Sequence, residues 1–117
     1  MRMCQFLCNK SMEELIDILQ NDSSSRVVVT REILLRRPSS HSLTSGQVID
    51  LFIYCDPAQR PRFFSLVEEM SSAFTPMELE TIGKAAPEFR KKIITILDRH
   101  YQGSRARESV LAALNVA

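Results

Sequence analysis

The chain has 117 residues, with 15 Lys+Arg against 14 Asp+Glu and a formal net charge of +1. Hydrophobic residues make up 44% and charged residues 25%, the profile of one ordinary globular domain, residues 1–117, with enough aliphatic surface for a core. A charge this close to zero excludes a polybasic nucleic-acid binder acting by charge alone, and 3 Gly and 5 Pro exclude collagen-like and low-complexity chains.

The opening stretch, Met1 to Cys8, carries one Arg and a short apolar run, too little for a secretory or organellar targeting segment. No apolar run approaches the roughly 20 residues of a membrane span, so no membrane partner is expected. A short helix is predicted over about residues 3–9, with Cys4 and Cys8 one turn apart on the same face. A zinc site needs about four ligands, and Cys55, His41 and His100 offer no second closely spaced pair. The cysteines therefore read as small core residues rather than ligands. Three sparse thiols also argue against a disulfide framework and for an intracellular, reducing compartment, mitochondrial or cytoplasmic.

Three helix starts follow. Ser11-Met12-Glu13-Glu14, Thr44-Ser45-Gly46-Gln47 and Thr75-Pro76-Met77-Glu78 each place Ser or Thr three residues before Glu or Gln. In such a capping box the hydroxyl accepts the N3 amide and the N3 side chain accepts the cap amide. Leu43 and Phe74 precede the second and third caps, positioned to staple onto Val48 and Leu79. After each box comes the i, i+3, i+4 stripe of an amphipathic helix: Leu15-Ile18-Leu19, Val48-Leu51-Phe52, and Leu79-Ile82 with Gly83 in the last slot. Second helix starts are expected at Asp22, Asp56 and Ala86, followed by Ser23, Pro57 and Pro87. Within the second helices Arg26, Arg60 and Arg90 align, as do Val29, Phe63 and Ile93, then Ile33, Val67 and Leu97, while Thr30 aligns with Phe64 and Ile94.

Successive caps stand 33 and 31 residues apart, a period typical of helical-hairpin repeats. Pro61 conflicts with a helix opened by Pro57, so that helix is expected to begin nearer Pro61 or with a kinked turn. The reading in chain order is three hairpins near 12–36, 45–71 and 76–101, a loop over Arg37–Ser42, and a last helix near 105–115 after the Gly103-Ser104 break. The β-prone run Val27-Val28-Val29-Thr30 is assigned to helix because Ile33-Leu34 continue the helical spacing. The expected fold is all-α: a short right-handed α-solenoid of about three hairpins with flanking terminal helices, the rival being an irregular helical bundle.

The segment LTSGQVIDLFIYC…RFFSLVEEMSSAFTPMELETIGKAA…RKKIITILDRHY, about residues 43–101, resembles heptatricopeptide and octotricopeptide repeats, as in FAST-kinase-like organellar RNA-metabolism proteins. The resemblance implies an α-solenoid that handles RNA or assembles with RNA-handling proteins. It carries over no catalytic residue, and no RAP domain is matched.

The chain has no phosphate-cradling Gly loop, no His-Glu-x-x-His and no Gly-x-Ser-x-Gly, so no enzyme, cofactor, metal or small-molecule substrate is expected. Charge placement is more informative. Acids gather in the first helices: Glu13, Glu14, Asp17, Asp50, Glu78 and Glu80. Bases gather near the start of the second: Arg26, Arg31, Arg60, Arg62, Arg90, Lys91 and Lys92. Of these, Arg26, Arg60, Arg62, Arg90, Lys91 and Lys92 are the candidate contacts to a phosphate backbone or an acidic partner, because a helix N-terminus and Arg together hold an anion. The bland alternative is pairing with acids of neighbouring first helices. Tyr54 and Tyr101, the main candidates for base stacking, are expected to face the core. Arg36-Arg37-Pro38-Ser39 fits a basophilic kinase site but reads first as a solvated loop. The expected function is a non-catalytic repeat scaffold or adaptor that packs against partner proteins in a larger, ribonucleoprotein-type assembly. The alternative is direct RNA binding along the Arg edge.

Overall fold

A computed structural model describes residues 7–39 and 41–114. It is all-helical, with no strand among the described residues. The α-helices are Met12–Asn21 (α1), Arg26–Leu35 (α2), Ser45–Tyr54 (α3), Arg60–Glu69 (α4), Pro76–Ala85 (α5), Arg90–Tyr101 (α6) and Arg105–Ala113 (α7). The predicted helix over 3–9 lies largely outside the described residues.

All three capping boxes form. Ser11, Thr44 and Thr75 each accept the amide of the residue three positions on, and Glu14, Gln47 and Glu78 each accept the cap amide, with distances of 2.8–3.1 Å. Leu43 and Phe74 are buried, as are Val48 and Leu79. The second helices start later than expected. A three-residue 3-10 turn follows each first helix, at Ser23–Ser25, Pro57–Gln59 and Pro87–Phe89. The α-helix opens only afterwards, on Arg26, Arg60 or Arg90. This removes the conflict at Pro61. It is the second residue of α4, within the first turn, where the missing N–H has no carbonyl to meet.

The chain divides into two compact units, Met1–Glu69 and Met70–Ala117. In the first, α1 packs on α2, α3 on α4, and α1 on α3. Leu15, Leu19, Val29, Ile33, Leu51, Phe63 and Val67 are fully enclosed there, with Phe52 set edge-on to Phe64 at 5.9 Å between centroids. The buried hydroxyl of Thr30 accepts the Asp56 amide at 3.0 Å and ties α2 to the turn before α4.

In the second unit α5 packs on α6, and α7 packs on both. Leu79, Ile82, Ile93 and Leu97 form its core, closed by Val110 and Leu114. Gly83 marks the closest approach: a Cβ there would stand 2.9 Å from a Leu114 methyl. Leu114 thus fills the space beside Gly83 that a larger side chain at that position would need. The α6–α7 turn needs the positive φ of Gly103 (82°), and Ser104 then caps α7 through the Arg107 amide.

Candidate functional site

The structure separates the six basic candidates into two groups. Arg26, Arg60 and Arg90 are half-buried and turn back on the helix before them. Arg26 Nε donates to the Leu19 carbonyl at 3.0 Å, Arg60 Nε to Phe52 at 3.3 Å, and Arg90 Nε to Gly83 at 3.3 Å. Each acceptor lies two residues before the end of its helix, among the carbonyls that have no intrahelical partner. A cation at the N-terminus of its own helix is disfavoured by the macrodipole. Here the guanidinium reaches the negative end of the preceding helix, which offsets that cost. The same groups lie over aromatic rings in the first unit, Arg26 at 5.6 Å from the Tyr54 centroid and Arg60 at 5.8 Å from Phe52. Among the described residues none of these three arginines forms an ion pair with a carboxylate.

Arg62, Lys91 and Lys92 are exposed, and Lys92 lies 5.8 Å from the centre of the Phe89 ring. Arg62 belongs to the first unit, whereas Arg90, Lys91 and Lys92 belong to the second. Tyr54 and Tyr101 are half-buried, and the Tyr101 hydroxyl donates to the Phe74 carbonyl.

Several other polar groups serve the fold. Arg36 donates to the Lys10 and Leu7 carbonyls and to Glu32 Oε2, at 2.6, 2.9 and 3.0 Å. Within Arg36-Arg37-Pro38-Ser39 the first guanidinium is therefore taken up by the 7–10 turn. Arg107 binds Asp98 and Glu108, joining α6 to α7. His41 is exposed in the loop, and His100 Nε2 lies 2.9 Å from Ser71 Oγ. Cys55 is buried, and burial pushes its thiol up to about 11. Cys8 is exposed rather than in the core, and Cys4 lies outside the described residues. No group of three or more His, Cys, Asp or Glu placed to hold a metal ion occurs among the described residues.

The concavity the sequence reading missed runs along α2. Its inner face buries Val29, Thr30 and Ile33. Its outer face carries Val27, Arg31, Leu34 and Leu35, spaced i, i+4, i+7, i+8. These four line a groove of about 280 Å³ whose other side is formed by Asp56, Gln59 and Arg62. Val27 is 53% exposed and Leu35 71%. The available signal was the run Arg26–Leu35 itself, where apolar residues occupy more of the helix surface than one buried stripe needs. A second depression of about 330 Å³ lies beside Leu7, Asp17, Ile18 and Asp22. Its carboxylates are engaged locally, Asp17 by Asn21 and Asp22 by the Ser24 and Ser25 hydroxyls.

Comparison with protein-family models, with curated proteins and with solved structures yields no match for the chain.

Proposed function

We propose that the chain is a non-catalytic scaffold: three helix–turn–helix repeats stacked as a right-handed α-solenoid, docking partner proteins in a larger, ribonucleoprotein-type assembly. The repeat reading, and with it the likeness to heptatricopeptide-style arrays, draws support from one local design used three times. Each copy has a capping box, a 3-10 turn, and an arginine folded back on the preceding helix. The observation that carries the docking function is the outer face of α2, where Val27 and Leu35 stand largely in solvent beside Leu34. Large aliphatic side chains gathered along one helix face mark an interaction surface more often than isolated exposed ones do. A reducing, intracellular compartment is the one this reading carries, on the three sparse cysteines of the sequence. No helix among the described residues is long and apolar enough to cross a membrane.

Direct RNA binding is the second reading, and the exposure of Arg62, Lys91 and Lys92 is what favours it. Purification of the tagged chain from its native cell, with and without RNase, separates the two. Protein partners that survive RNase support the scaffold; loss of every partner with RNase supports RNA contact.

A further inference from the structure

The geometry points to the α2 groove as a seat for an acidic amphipathic helix of a partner protein, with one or two aliphatic side chains set against Val27, Leu34 and Leu35 and carboxylates facing Arg31 and Arg62. The inference rests on the scaffold reading and gives that scaffold's partner its chemistry.

Shape argues for the side chains of a partner helix. The groove's apolar residues follow one helix face, the form in which a groove accepts another helix through anchors at i, i+3, i+4 and i+7. Charge settles the sign of the partner. Arg31 comes from α2 and Arg62 from the first turn of α4, so each wall carries an exposed guanidinium. Asp56, the acid in the lining, turns its carboxylate to the Ala58 amide. A peptide presenting Asp or Glu beside Leu, Ile or Met satisfies both walls and covers the aliphatic face. RNA fits this surface less well, because Val27, Leu34 and Leu35 offer no aromatic plane for a base to stack on.

The test is selection of a random-peptide display library on the purified full chain, followed by titration of the enriched peptides. Enriched sequences are expected to carry acidic residues flanking aliphatic ones at helical spacing. Their affinity is expected to fall about threefold in Arg31→Gln or Arg62→Gln and about tenfold in the double variant, with the loss shrinking at high salt. Leu35→Ser is expected to weaken them by about tenfold. All these side chains are exposed, so unchanged circular dichroism and thermal midpoint accompany the loss. Failure to enrich any peptide, enrichment without acidic character, equal affinity for the double variant, or displacement by an oligouridylate would each overturn the proposal. Repeating the RNase-treated purification with the Arg31→Gln/Arg62→Gln chain distinguishes the two levels. Retention of the same partners overturns the groove and leaves the scaffold standing, whereas loss of every partner from the unaltered chain overturns the scaffold itself.

Discussion

At the scale of single residues, side chains of like charge do different work according to what lies within reach. Arg90 and Lys91 are neighbours on α6, yet Arg90 donates to the Gly83 carbonyl while Lys91 is exposed to solvent. Arg90→Ala is expected to cost about 1–2 kcal/mol, read as a lower urea midpoint, because it removes a charge-assisted bond to an otherwise unmatched carbonyl. Lys91→Ala is expected to stay within about 0.5 kcal/mol. The thiols divide similarly. At pH 8 Cys55 should resist iodoacetamide in the native chain, because it is 2% exposed and its pKa is raised to about 11, and should react once urea unfolds the protein. Peptide mass spectrometry reads both states, and native-state labelling of Cys55 would contradict the packing.

At the scale of elements, the caps and turns explain where each helix begins. Thr75 caps α5 through the Glu78 amide, so Thr75→Ala is expected to lower stability by about 1 kcal/mol, and Thr75→Ser by much less, in denaturant titrations. The Gly83–Leu114 contact makes a sharper prediction. Alanine at 83 gains about 1 kcal/mol of helix propensity but must push aside the end of the Leu114 side chain, so Gly83→Ala is expected to be nearly neutral. Gly83→Leu needs the whole space Leu114 occupies. It is expected to release α7 from α5, seen as faster amide exchange across Arg105–Ala113. The capping boxes were legible in the sequence because they are local, each closing within four residues. The 3-10 turns were not, because Ser23, Pro57 and Pro87 suit the first turn of either helix type.

At the scale of the whole molecule, charge and pH act through several sites together. Glu14 is held below the ordinary carboxylate range chiefly by the Ser11 amide, and Asp22 chiefly by the Ser24 hydroxyl and then by Ser25. A lowered folded-state pKa contributes stability that is present above the unfolded value, near pH 4, and is lost as pH falls through the folded value. The thermal midpoint should therefore drop on acidification. Glu14→Gln should shallow that drop while keeping the cap, as Gln47 does at Thr44. Asp50 has the opposite sign: burial raises its pKa, with the Gln20 side chain acting the other way. Its ionised form is penalised in the fold, so Asp50→Asn is expected to raise the midpoint at pH 7 and to lose that advantage below pH 4. A midpoint unchanged by Asp50→Asn at pH 7 would contradict the cost of burying that carboxylate.

By itself the sequence determined the helical class, the three capping boxes and most of the buried stripes, the exception being α1, where Ile18 is half-buried and Ile16 is buried. Val29, Phe63 and Ile93 are buried as their alignment requires, as are Ile33, Val67 and Leu97. These are properties of short windows, fixed by the 3.6-residue period and by hydrogen bonds that close within one turn. Tertiary structure alone decided the fate of the arginines. Arg26, Arg60 and Arg90 meet carbonyls seven or eight residues back, across a turn whose geometry the spacing left open, while Arg31 and Arg62 reach one groove from two helices. Whether a guanidinium finds a carbonyl, a carboxylate or water depends on where a separate segment ends, and that is set by packing rather than by neighbours along the chain.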